Sequence, residues 1–165
     1  MATRHILTKE DPLLYKTCRP VTAFNARLHQ LLDDMAETLL QTNGVGLAAP
    51  QVGVLRRVAL VLETNVPEDE DEILLELINP VIIDSSGEQS GAEGCLSVPG
   101  EYGIVRRPEI VKIRAQDRYG EWFEYEGTGL TARCFCHELD HMEGRLFTPL
   151  CERMLTEEEI EKGDF

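Results

Sequence analysis

At 165 residues the chain fits one domain, since domains run roughly 100–200 residues, and 42% hydrophobic with 28% charged residues is enough apolar material for an ordinary core. A formal net charge of −14 repels nucleic-acid phosphates and argues against generic DNA or RNA binding, leaving room only for a local basic patch. No apolar run approaches the roughly 18 residues of a membrane helix, Met1 to Leu14 lacks the apolar stretch of a secretion signal, and five cysteines without a regular framework fit free thiols in a reducing cytoplasm.

Leu28, Leu31, Leu32, Met35 and Leu39 recur at helical spacing with Asp33, Asp34 and Glu37 between them, which predicts an amphipathic helix over residues 26–42. Asn43-Gly44 is the expected stop, because both residue types tolerate positive φ. The segment from Gly44 to Gly53 is small and Gly-rich. As a dinucleotide-binding fingerprint it fails: it follows a helix rather than a strand, and Pro50 interrupts any helix after it. It fits a tight turn against a sheet, or a loop whose backbone lies close to a ligand with the Gln51 amide, both donor and acceptor, aimed at it.

Residues 56–63 read as a strand, as do 73–79 and 81–84 on either side of Pro80. The acidic stretch from Glu63 to Glu76 reads as a solvated loop, and the acidic tail, from about residue 152, as a solvated helix face. Residues 104–117 and 121–126 are rich in β-branched and aromatic residues, and Tyr119-Gly120 between them is the expected hairpin turn. Leu130 to Glu143 reads as a second helix closed by Gly144. Strands outnumber helices and do not alternate with them, so the expected fold is α+β with antiparallel or mixed sheets, in a single domain spanning residues 1–165.

Within the second helix, His137-Glu138-Leu139-Asp140-His141 matches H-E-x-x-H. Positions i and i+4 lie on one helix face about 6 Å apart, so two imidazoles can close on one divalent ion while Glu138 lies beside them, able to take a proton from water. His5 and His29 have no such context and read as surface residues. A catalytic site of this type usually takes a third protein ligand. Phe147 stands where the H-E-x-x-H-x-x-G-x-x-H design needs a histidine. Glu161 lies at the distance of a thermolysin-like third ligand, which would make the protein a zinc endopeptidase. Cys134 is one turn before His137 and reads as packing beside the site; Cys136 points away, into the core. Cys95, in Glu93-Gly94-Cys95-Leu96-Ser97-Val98-Pro99-Gly100, is a further candidate, with Gly94 permitting close approach and Pro99-Gly100 expected to turn the chain. Residue chemistry alone leaves this choice open, since a lone Cys is commonly a small buried hydrophobe.

Three motifs stand in fixed order: Gly44-Val45-Gly46-Leu47-Ala48-Ala49-Pro50-Gln51, Glu93-Gly94-Cys95-Leu96-Ser97, and His137-Glu138-Leu139-Asp140-His141. Together they resemble the signature motifs of the peptide deformylases, and the likeness runs from near residue 8 to about residue 150. The resemblance implies sheets packed around a central H-E-x-x-H helix and an enzyme that removes the formyl group from the methionine of nascent bacterial or organellar polypeptides. It implies Cys95, His137 and His141 as metal ligands, Glu138 as general base and acid, and Gln51 with the backbone N–H of Leu96 as oxyanion donors. Gly46 would contact the substrate backbone, and Val45, Leu130 and Cys134 are candidate walls of an apolar methionine pocket. Glu93 would pair with Arg107 and orient the Cys95 loop. The implied cofactor is one divalent ion, Fe²⁺ natively, with Zn²⁺, Ni²⁺ or Co²⁺ able to replace it. The implied partners are formylmethionyl peptides and, transiently, the ribosome. A family relative that keeps the metal but has lost catalysis is the bland alternative. Cys136 stands where the family often has Gln, and the tail after Phe147 is short and acidic, so traits of longer C-termini do not carry over; the short tail and the lack of a targeting segment favour a bacterial form.

Overall fold

The computed structural model describes residues 2–163, with three α-helices, α1 (Ala26–Leu40), α2 (Leu130–Met142) and α3 (Glu157–Lys162). The strands are β1 (Gly46–Ala48), β2 (Val58–Glu63), β3 (Ile73–Ser86), β4 (Gln89–Cys95), β5 (Val98–Arg107), β6 (Ile110–Gln116), β7 (Trp122–Thr128) and β8 (Arg153–Met154). They form two antiparallel sheets, ordered β1-β2-β3-β6-β7 and β4-β5-β8. The α+β class read from the sequence is the class observed.

Helix α1 begins at Asn25, whose side chain accepts the Leu28 N–H at 3.2 Å. It buries Leu28, Leu31, Leu32, Met35 and Leu39 as the periodicity predicts, and each such side chain contributes about 1.5–3 kcal/mol on leaving water. The helix stops short of the expected signal, and neither Asn43 nor Gly44 takes positive φ. Thr42 ends it instead, its hydroxyl donating to the Leu39 carbonyl at 2.7 Å and accepting the Gly44 N–H at 3.0 Å. Gly44 is small for another reason: a Cβ there would stand 2.9 Å from Leu96 Cδ1.

Helices α1 and α2 cover opposite faces of the five-stranded sheet. Val58 and Leu60 of β2 pack with α1, while Ala59 and Val61 pack with Met142 and with Phe135 of α2. Burial on both faces explains why Val-Ala-Leu-Val-Leu shows no alternation. On its far side α2 reaches the three-stranded sheet, where Arg133 Nη1 donates to the Val105 carbonyl at 3.0 Å. The predicted hairpin forms between β6 and β7, with Gly120 at φ 87° and the Asp117 carboxylate accepting the Tyr119 and Glu121 N–H groups.

The sequence predicts no strand at β1, β4 or β8, and elsewhere the structure departs from it in four places. The two runs flanking Pro80 are one strand, β3, with a register slip between Ile78 and Val81. Asn79 takes φ 52° there, and its carboxamide bonds both the N–H and the carbonyl of Val21; Pro80, which has no N–H to donate, is tolerated at such a bulge. Residues 104–117 are two strands in different sheets, because Pro108 interrupts the ladder between β5 and β6. Pro99-Gly100 lies inside β5; the turn is Leu96-Ser97, with Cys95 paired to Val98 across it. Glu63 is buried at 7% exposure rather than solvated, accepting the Tyr125 hydroxyl at 2.9 Å and the Thr131 hydroxyl. The acidic residues of α3 are exposed or half-buried at the surface, as a solvated face should be.

Candidate metal centre

The spacing of His137 and His141 on α2 sets the first two walls of the site. Their Nε2 atoms lie 3.2 Å apart, and both rings are buried. The third wall comes from the other sheet. The two-residue turn at Leu96-Ser97 ends β4 with Cys95 facing α2, and its Sγ stands 3.3 Å from His141 Nε2. The three ligand atoms all lie within 4.8 Å of one another. Glu161 is exposed on α3 and belongs to no such cluster among the described residues, so the geometry favours Cys95 over the endopeptidase arrangement. Cys134 and Cys136 are buried beside the sheet rather than in the cluster, and burial pushes both thiols up.

One carboxylate organises this cluster. Glu93, on β4 and 5% exposed, accepts the His137 Nδ1–H at 2.7 Å, which leaves the His137 Nε2 lone pair facing Cys95 and His141. The same carboxylate takes a fork from Arg107, Nε at 3.1 Å and Nη2 at 2.7 Å, and a third contact from Arg133 Nη1 at 2.9 Å. Burial by itself would raise the Glu93 pKa, but the bonds from His137 and Arg107 outweigh it and hold the group at about 2. Arg107 also reaches Asp140 Oδ2 at 2.8 Å, tying β5 to α2.

Glu138 is 3% exposed and its Oε1 has no hydrogen-bond partner among the described residues. Burial pushes its carboxyl up to about 7, against the pull of His137. Gly46 of β1 makes room for it: a Cβ at that position would stand 2.5 Å from Glu138 Oε2. Gln51 is also buried, in a 3₁₀ turn (Ala49–Val52). Its Oε1 accepts the Ala48 N–H at 2.9 Å, so the acceptor is spent on the backbone, and Nε2 is held toward Cys95 Sγ, 3.6 Å away, and Ser97 Oγ, 3.1 Å away.

A metal ion fits this arrangement. The donor set is one thiol sulfur and two imidazole nitrogens converging at contact distance, a combination that binds Zn²⁺ and its first-row neighbours. Burial alone would lower the His137 pKa, yet Glu138, Cys95 and Glu93 together raise it, whereas burial and the neighbouring His137 lower that of His141.

A cavity of about 440 Å³ opens beside the cluster, a size within the usual range for small-ligand sites. Val45, Leu130 and Cys134 line it, together with Leu96, Tyr102 and Glu138. Sequence reasoning missed Arg133, Asp140 and Ser97. Arg133 carried a signal: it sits one turn before His137 on the same face, and a cation on a buried stripe demands a buried anion. Asp140 and Ser97 carried none, because their partners lie on other elements.

Comparison with known proteins agrees along nearly the whole chain. The family model described as polypeptide deformylase matches residues 3–155. A peptide deformylase of Caldanaerobacter subterraneus is 50% identical over 161 residues, covering 98% of this chain and 97% of that protein. The crystal structure of a peptide deformylase from Legionella pneumophila superposes with a TM-score of 0.83 at 44% identity, covering 92% of this chain and 87% of that one. That from Thermotoga maritima gives 0.85 at 34% identity, covering 92% and 99%. With both sequence and fold shared over at least nine-tenths of its length, the chain belongs to the polypeptide deformylase family.

Proposed function

We propose that the protein hydrolyses the formamide of N-formylmethionyl peptides, releasing formate and a free amino terminus. The observation that carries this reading is the convergence of Cys95 Sγ with the Nε2 atoms of His137 and His141 beside Glu138, whose Oε1 has no partner among the described residues. Cys95, His137 and His141 hold one divalent ion, natively Fe²⁺, with Zn²⁺, Ni²⁺ or Co²⁺ able to take its place. When bound, such an ion supplies Lewis-acid polarisation and an acidified water at neutral pH. The helix carrying both histidines is the centre of one catalytic domain, residues 1–165.

The chain's own groups divide the remaining work. Glu138 takes the proton from the attacking water and passes it to the departing amine nitrogen. Gln51 Nε2–H and the Leu96 N–H donate to the formyl oxygen as negative charge develops on it. Because Gln51 is clamped by Ala48 and Ser97, its donor is in place before the reaction, the condition under which such a group is worth about 3–4 kcal/mol. Glu93 and Arg107, with Arg133 and Asp140, hold the Cys95 strand and the His137 ring in register. Val45, Leu130 and Cys134 receive the methionine side chain, and the backbone at Gly46 contacts the peptide. The enzyme works in the cytoplasm on nascent chains, with transient ribosome contact; no helix among the described residues is long and apolar enough to cross a membrane.

Protein purified without oxygen is expected to contain one metal ion per chain, mainly iron, and to release formate from a formyl-Met peptide but no acetate from its acetyl-Met counterpart. Metal-bearing protein without formate release would make it a catalytically silent relative. Gly46→Ala is expected to lose about 10²-fold in kcat/KM, because the added methyl displaces the Glu138 carboxylate by a large part of an ångström. Steady-state kinetics on the metal-loaded variant checks this; unaltered activity would remove the close contact from the account.

A further inference from the structure

Away from the metal centre, a second cavity of about 650 Å³ opens at the N-terminal end of α1 and shares no lining residue with the first. Arg4, Arg19, Arg27 and Arg56 line it and, among the described residues, no carboxylate does, in a chain with 30 acidic residues. Arg4 is paired to Asp34 at 3.0 Å. Arg19, Arg27 and Arg56 have no carboxylate partner among the described residues.

Backbone pairing makes this cluster a fixed feature. Arg19 and Arg56 form a parallel bridge, with the Arg19 N–H donating to the Leu55 carbonyl at 3.1 Å and the Arg57 N–H to the Arg19 carbonyl at 2.9 Å. The bridge brings Arg19 and Arg56 to neighbouring positions on the cavity rim, where both side chains are exposed and Arg56 Nη1 donates to the Leu55 carbonyl at 3.4 Å, so each is open to a diffusible anion. Helix α1 adds to the same field. The Asn25 side chain accepts only the Leu28 N–H and its carbonyl the His29 N–H, and the Ala26 and Arg27 N–H groups have no acceptor among the described residues, so the positive end of a 15-residue helix faces the cavity. The floor beneath is apolar, built from Val21, Leu28, Leu31 and Val54.

We propose that this cavity binds a compact phosphate-bearing ligand of nucleotide size, its phosphates on Arg19, Arg56 and the α1 N-terminus and its apolar portion on Val21, Leu28 and Val54. Guanidinium forks and helix N-termini both match phosphate oxygens, and the volume lies within the roughly 300–1,000 Å³ of small-molecule sites. A polymeric phosphate is disfavoured, because beyond the cavity its strand would run over the surface of a chain with net charge −14.

The test is calorimetric titration of the metal-loaded enzyme with ADP, inorganic pyrophosphate and a short single-stranded RNA. ADP is expected to bind one per chain, more tightly than pyrophosphate, which lacks the apolar portion, and severalfold more weakly at high salt. The Arg19→Gln/Arg56→Gln pair is expected to weaken ADP at least about tenfold while leaving formate release from a formyl-Met peptide unchanged. Arg27→Gln, outside the bridge, is the second variant should the pair fail to fold. The proposal is overturned if ADP does not bind, if its binding ignores these arginines (as chelation of the catalytic metal would), or if RNA binds more tightly than ADP.

Discussion

Glu138→Ala is expected to keep its full complement of metal while turnover drops by about 10²–10⁴-fold, the range general acid–base groups supply. Glu138 is not among the three converging donors, so its loss removes no ligand. It is buried, and its Oε1 has no partner among the described residues, so the cost of burying it offsets what its attraction to His137 contributes to folding. Stability of the variant should therefore equal or exceed that of the unaltered protein, a combination a merely structural carboxylate would not give. Metal analysis, thermal unfolding and formate release on the same preparation test all three parts. Activity within a few-fold of the original would exclude Glu138 as the proton carrier.

Glu93→Ala should do the reverse, damaging fold and metal binding before chemistry. The Glu93 carboxylate is shared by Arg107, Arg133 and His137, all buried. Removing it leaves two guanidinium groups without their central anion, and breaking a buried charge pair costs about 3–5 kcal/mol. It also frees the His137 ring from the bond that sets its tautomer, for which a loss of about 10–100-fold in metal affinity is typical. Glu93→Gln keeps the shape but turns an amide toward two donors, so it should fall between the two. Denaturant unfolding and competitive metal titration measure the two effects separately. A variant that unfolds with unaltered midpoint and retains its metal would show that the network is not what holds Cys95 against α2.

Local pattern was legible wherever one element determined its own form. The period of Leu28, Leu31, Leu32, Met35 and Leu39 fixes which face of α1 is buried, and the buried face is the one observed. Strand β4 was not legible, because Ser-Gly-Ala-Glu-Gly has low strand preference and is extended only through pairing with β5. Residues 104–117 looked like one strand because nothing local says that the chain changes sheets at Pro108. Glu63 looked solvated because its partners, Tyr125 and Thr131, lie more than 60 residues away in sequence.

The same division runs through the site. An i, i+4 histidine pair on a helix is fixed by helix geometry, so the sequence alone put His137, His141 and Glu138 on one side of α2. It also confined the reactive cysteine to a few candidates, and the three ordered motifs carried the family likeness. Cys95 reaches His141 across 46 residues of chain and from a different sheet. That meeting depends on where the Leu96-Ser97 turn falls and on Glu93 bridging β4, β5 and α2. Long-range contacts of this kind have no period and no local preference to read, so only the packed tertiary structure decided them.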